Sequence, residues 1–227
     1  MSDSRAFLEA LFRAAVVAAH PAACLPPLLP QPPAGRIILL AAGKAAGAMA
    51  QVAENFYLHD LKFDRKRFSG VAVARHGYGR PLQSVAMIEA GHPVPDAAGL
   101  QAADRALALA DGAGPNDRVL VLMSGGASAN WIAPAAGISF EDKQSVTRAL
   151  LRSGAAIGEI NTVRKHLSRI KGGRLARHAD PAPVTTIAIS DVPGDDPCAI
   201  GSGPTVADPS TLAQARAIVA KYKLALP

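Results

Sequence analysis

Arg36–Ala50 reads RIILLAAGKAAGAMA, and the change of rhythm inside it decides the fold. After one arginine, residues 37–42 are continuously apolar, as a parallel strand buried on both faces is. Gly43 permits a tight turn. From Lys44 to Leu58 the apolar residues Ala45, Ala48, Met49, Val52 and Phe56 return at helical spacing. A strand over Arg36–Ala41, a glycine turn and a helix over Lys44–Leu58 follow.

Working outward, the same alternation recurs. Gly70–Ala74, Ser84–Ala90, Arg118–Met123 and Val184–Ile189 read as further strands. Asp96 caps a helix carrying Leu100, Ala103, Leu107 and Ala110, and Ser139 with Asp142 opens another. Two more helices are expected over Glu159–Ile170, closed by Gly172-Gly173, and from the cap-like Pro209-Ser210 to Leu224. The fold class is therefore α/β, an open, three-layer, mostly parallel Rossmann-like sheet. In such sheets ligands bind beyond the carboxyl ends of the strands.

Near the N-terminus, Glu9, Arg13 and His20 interrupt an alanine-rich run that would otherwise resemble an export signal. Leu8, Leu11, Phe12, Ala15, Val16 and Ala19 form one stripe of an amphipathic helix, with Arg5, Glu9 and Arg13 on the other face. No stretch reaches the apolar length of a membrane span. Pro21–Pro33 reads as a connector laid across the surface.

With 227 residues and 49% hydrophobic content, one large or two small domains can bury a core. The net charge of +6 asks for an anionic partner. Aromatic residues at 4% and the lack of a long Lys/Arg block argue against nucleic acid, which leaves a small anionic substrate. Cys24 and Cys198 are far apart in sequence and suggest neither a disulfide framework nor a zinc site, so a cytoplasmic setting is the default.

Three loops and one helix face carry unusual residues. Lys44 opposes the dipole of the helix it begins, which an anion bound at the same place would explain. Ser124, Gly125, Gly126 and Ser128 offer small residues, backbone N–H groups and hydroxyls to a negative group, with Trp131 either walling a pocket or closing the core. Asn161, Arg164, Lys165 and Ser168 share one helix face, either as a carboxylate or phosphate clamp or as a solvated stripe. Ser190–Thr205, SDVPGDDPCAIGSGPT, offers Asp191, Asp195 and Asp196 to a cation and the Gly201-Ser202-Gly203 turn to an anion, the chemistry of phosphate with magnesium. The alternative is an ordinary Asp/Pro/Gly surface turn. His92, presented by a proline-rich turn, and His76 are each either a general base or a structural histidine.

The ordered motifs AAGKAAGAMA (41–50), GHPVPD (91–96), SGGASAN (124–130), INTVRKHLSRIKGGRLA (160–176) and SDVPGDDPCAIGSGPTVAD (190–208) resemble the N-terminal domain of the bacterial glycerate 2-kinases, some of which carry the label hydroxypyruvate reductase. The resemblance implies transfer of a phosphoryl group from ATP, with Mg2+, to the 2-hydroxyl of D-glycerate. It implies that Lys44 works in the active-site cleft and that Ser124–Ser128 is the family's glycine-rich serine loop. The chemistry of phosphoryl transfer then gives the expectation that Lys44 and Asp191 are catalytic, that Ser124, Gly125, Gly126, Ser128, Asn161, Arg164, Lys165, Ser202 and Gly203 bind substrate or phosphate, and that Asp191 and Asp195 hold the metal. Which aspartate orients the hydroxyl and which holds metal stays open. Two departures stand out: Ala127 replaces an expected third glycine, and Asn130 sits where an apolar residue is expected.

On this reading residues 1–227 are the family's N-terminal domain without its C-terminal one, so turnover by this chain alone is in question and a homodimer covering the exposed face is expected. A non-catalytic metabolite- or nucleotide-binding module is the alternative. An NAD(P)H-dependent reductase ranks last, because Gly43–Gly47 lacks the G-x-G-x-x-G turn that a dinucleotide needs.

Overall fold

A computed structural model describes residues 2–224. In chain order the elements are α1 (Ser2–Ala19), α2 (Pro21–Cys24), β1 (Ile37–Ala42), α3 (Ala46–Glu54), β2 (Phe68–Arg75), β3 (Val85–Ala90), α4 (Ala97–Asp111), β4 (Arg118–Ser124), α5 (Ala127–Asn130), α6 (Phe140–Arg152), α7 (Ile157–His166), α8 (Arg174–Ala179), β5 (Val184–Ile189) and α9 (Leu212–Lys221). The five strands form one sheet in the order β3-β2-β1-β4-β5, every pair parallel. Building starts at β1, moves out to β3, then returns to β4 on the other flank. The reversal opens a crevice at the carboxyl ends of β1 and β4.

All six residues of β1 are buried, and their alternation sorts them between two cores. Ile38, Leu40 and Ala42 join Val71, Val73, Val119, Val121 and Met123 beneath α4 and α8. Ile37, Leu39 and Ala41 join Leu120 and Leu122 beneath α3, with Met49, Ala50, Ala53 and Tyr57. Each large side chain so buried contributes about 1.5–3 kcal/mol, which makes a layer on each face obligatory. A smaller core, Val146, Leu150, Ile160 and Val163, joins α6 to α7, and α9 packs alongside.

At the amino ends of β1 and β4 the chain is closed by an ion pair. Asp117, 7% exposed, accepts from the Arg36 backbone N–H at 2.6 Å, from Arg36 Nη2 at 2.7 Å and from the Gly114 N–H at 2.9 Å. The hydrogen bond from the Arg36 side chain is the main force holding its carboxyl down at about 2, against the opposing effect of burial.

Several elements differ from the sequence reading. The helix expected from Lys44 starts at Ala46, with Ala45 as its cap, so Lys44 lies in the turn before it. Beyond Glu54 the chain widens into π-helical turns over Asn55–Asp60, which lodge Tyr57 against the proline-rich segment, its hydroxyl donating to the Pro30 carbonyl at 2.7 Å. That segment packs onto α3 through buried Leu25 and Leu29. Glu54 is buried because its carboxylate accepts the N–H groups of Gln83, Ser84 and Val85 at 2.7–2.9 Å, pinning the start of β3.

The N-terminal helix forms, but its stripe covers no core. Phe7 and Phe12 are 62% and 70% exposed, Leu8, Leu11, Val16 and Val17 are exposed with them, and its main contact among the described residues is with α2. The last helix starts after Thr211 rather than Pro209-Ser210, because Thr211 and Gln214 form a capping box, and it ends at Lys221, short of Leu224. None of the helices among the described residues is long and apolar enough to cross a membrane.

Candidate functional site

The β1 and β4 loops meet in the crevice. The Lys44 N–H donates to the Gly125 carbonyl at 2.8 Å and the Ala45 N–H to Ser124 Oγ at 2.9 Å, so each turn fixes the other. Gly126 has φ +90, a left-handed conformation that favours glycine, and hands the chain to α5. Among the described residues, the N–H groups of Gly125, Gly126, Ala127 and Ser128 donate to no other protein group. Successive free N–H groups around a left-handed glycine make a concavity for an anion. The methyl group of Ala127 causes no conflict, since it is buried on the core side and the special conformation falls on Gly126.

Charged groups surround this turn. Lys44 Nζ lies 3.8 Å from Asp191 Oδ2, with the two side chains 47% and 60% exposed. Asp191 packs directly against Gly125. A Cβ built on Gly126 would sit 3.0 Å from the His92 ring and 3.5 Å from Lys44 Cγ. Burial, then Lys44 and Arg75, push the His92 pKa below its ordinary value, with Asp191 pulling the other way. A neutral imidazole at neutral pH follows.

Behind the turn lies a hydrogen-bonded chain: Ser128 Oγ meets Ser202 Oγ at 2.9 Å, and Ser202 Oγ donates to Asn161 Oδ1 at 3.2 Å. Arg164 Nη2 donates to the Ser128 carbonyl at 3.0 Å. Ser202 is fully buried, and the Gly203 carbonyl accepts the Gly173 N–H at 2.8 Å, so both residues brace the loop from below.

The structure thus brings together Lys44, Ser124, Gly125, Gly126, Ser128 and Asp191 at the crevice, with Asn161, Arg164 and Ser202 behind them. It separates the others. Helix α7 ends at His166, so Ser168 leaves the shared face, and its hydroxyl accepts the Ile170 and Lys171 N–H groups. Lys165 points elsewhere, pairing with Asp208 at 3.4 Å. Gly172 and Gly173 do not cap α7; both have positive φ, and Gly173 precedes α8. Asp195 lines a neighbouring groove with Thr186, Ser190 and Thr205, and no group of three or more metal-ligating side chains occurs among the described residues. His76 pairs with Asp96 at 2.9 Å, and Trp131 is 1% exposed in the core. Asn130, expected to be apolar, is buried with its amide on the carbonyls of Ala90 and Gly91.

Sequence reasoning missed Lys171. It lies beyond the end of α7, where helical spacing no longer applies, and its Nζ donates to the carbonyls of Ser128 and Trp131 at 2.9 and 3.0 Å.

Fold and site together define a doubly wound parallel α/β protein with a glycine turn of free N–H groups at its topological switch point. Residues 7–227 match the family described as "Domain of unknown function (DUF4147)", and the chain belongs to that family. Among its relatives, a "Putative hydroxypyruvate reductase" of Agrobacterium vitis is 47% identical over 99% of this chain and 50% of its own. A "Glycerate 2-kinase" of Pyrococcus horikoshii is 45% identical over 84% of this chain and 41% of its own. The crystal structure of a glycerate kinase from Thermotoga maritima superposes with a TM-score of 0.88 at 38% identity, covering 100% of this chain and 54% of that one. The likeness to glycerate 2-kinases carried by the five motifs is borne out, and the chain spans about half the length of the curated relatives it matches.

Proposed function

We propose that this chain binds ATP and D-glycerate in the β1–β4 crevice and takes part in forming 2-phosphoglycerate. The observation that carries the reading is the run of four unpaired N–H groups, Gly125–Ser128, facing a half-exposed Lys44. Phosphoryl transfer depends mainly on positioning and on charge stabilisation. The cradle would hold the nucleotide's phosphates, and Lys44 would neutralise charge building on the transferred group. Asp191, on the other side of Gly125, would orient the acceptor hydroxyl or hold Mg2+.

The residues fit magnesium in a limited way: Asp191 gives one hard carboxylate at the crevice, and this ion takes one or two carboxylates with substrate phosphates and water. When bound, the ion would supply charge neutralisation across the phosphate oxygens. Asp195 is the weaker ligand, since it lines the adjacent groove. A cytoplasmic enzyme and a homodimer belong to the same reading.

The test is phosphorus NMR of the purified chain with D-glycerate, ATP and Mg2+, beside Lys44→Ala. A 2-phosphoglycerate signal falling about 100- to 1,000-fold in the variant is expected from the loss of one charge-stabilising donor. A folded chain that binds MgATP and forms no product would make it a binding module.

A further inference from the structure

A lysine is almost never fully buried without a carboxylate partner, yet Lys171 is 1% exposed and its amino group meets only two carbonyls, those of Ser128 and Trp131. Arg164 reaches the same Ser128 carbonyl from α7. Lys143, 2% exposed on α6, donates to the carbonyls of Arg164 and Leu167 at 3.0 and 2.7 Å, so it props the end of α7 that carries Arg164. Among the described residues, none of these three cations has a carboxylate within ion-pair distance. They occupy one neighbourhood: burial lowers all three pKa values, bringing Lys143 to about 7, and Arg164 acts on both lysines while Lys143 adds to the effect on Lys171.

Such an arrangement is costly, since each cation gives up its hydration for neutral carbonyl partners. Its geometry explains its presence. In the first turn of a helix the free N–H groups point back toward the start while the carbonyls point forward. Gripping the carbonyls of Ser128 and Trp131 from beneath therefore sets the direction in which the N–H groups of Gly125–Ser128 face.

We infer that Lys171 and Arg164 are positioning residues of the anion cradle: by holding the Ser128 carbonyl on the core side, they aim the Gly125–Ser128 N–H groups into the crevice. Neither touches the ligand. A bound anion would also offset the positive charge buried beneath the loop. The inference rests on the reading of Gly125–Ser128 as a phosphate cradle, and one experiment separates the two.

The chain is labelled with 15N-glycine, and its amide spectrum is recorded for wild type, Lys171→Met and Arg164→Met before and after titration with MgATP. In the free protein, the Gly125 and Gly126 signals shift in both variants while Gly35 and Gly114, at the opposite, amino ends of β1 and β4, stay in place and report an intact fold. With MgATP, wild type moves the same two signals, and the variants bind about 10-fold or more weakly, the loss of one well-placed charged hydrogen bond. Arg164→Lys, which keeps one charged donor, recovers part of the affinity. Unmoved Gly125 and Gly126 signals in a folded variant, or unchanged affinity, would overturn the positioning role while leaving the cradle reading intact. Failure of wild-type Gly125 and Gly126 to respond to MgATP would overturn the cradle reading itself, whatever the variants do. If Lys171→Met does not fold, Arg164→Met gives the same readouts.

Discussion

The sheet carries an acid–base pair at each of its ends, and the two pairs are built in opposite ways. At the amino ends, Arg36 and Asp117 close on each other at 2.7 Å, with Gly114 satisfying the same carboxylate. At the carboxyl ends, Lys44 and Asp191 stand 3.8 Å apart, about half exposed, beside a turn whose N–H groups are free. Closed pairs hold strands together, whereas open ones leave charge available to something else. Arg36 and Asp117 lead into the adjacent strands β1 and β4, whereas Lys44 follows β1 and Asp191 follows β5, two strands along the sheet.

That contrast can be broken experimentally. The largest effect is expected at the open end from Gly126→Val. The left-handed backbone costs about 1–3 kcal/mol, and the new side chain fills the space between His92 and Lys44. Product formation should fall at least about 100-fold, the scale of losing one preorganised donor. Gly137→Ala is the control, since φ is +80 there and a Cβ meets nothing within 4 Å. Similar melting temperatures with unequal activity would uphold the comparison; equal activity would sink it.

At the closed end, Asp117→Ala leaves a guanidinium and two N–H groups without their acceptor. A loss of about 2 kcal/mol in urea unfolding is expected from the orphaned N–H donors, with activity per folded molecule unchanged. A change in the affinity for ATP instead would show that the two ends are coupled.

The same carboxylate sets a pH dependence. Its folded pKa is depressed to about 2, so its contribution is present above the unfolded value near 3.8 and is lost as pH falls toward 2. The amount is about 2 kcal/mol. Wild type should lose that stability between pH 4 and 2 relative to Asp117→Asn, and parallel curves would refute the assignment.

The smallest effect is expected from Asp195→Asn, which lies in the neighbouring groove. Activity within about two-fold of wild type fits a surface charge substitution. A 100-fold loss would return Asp195 to the metal site.

Every strand was legible because each is an apolar run between turn residues, even the half-exposed β5, whose Val184-Thr185-Thr186-Ile187 is rich in β-branched residues. The glycine loop and Lys44 were legible because strand-to-helix turns place residues at a known edge of the sheet. Ser190–Thr205 was not, because adjacency in sequence does not say which way successive side chains turn; Asp191 faces Lys44 while Ser202 is buried beneath Ser128. The polar face of α7 failed for a related reason. Its periodicity holds only while the helix lasts, and the helix stops at His166. Lys171 and Glu54 drew no reading from the sequence, because their acceptors and donors are backbone groups far along the chain, which no side-chain pattern announces.

Glu54 reaches beyond local anchoring. The connection from β2 to β3 has no crossover helix, and three amides at its end are satisfied by a side chain of α3. An edge strand would ordinarily fray independently of the far side of the sheet. Here detaching β3 strands a buried carboxylate under α3, so strand and helix should exchange their amide hydrogens as one cooperative unit, the outer flank of the sheet opening only when its covering layer does.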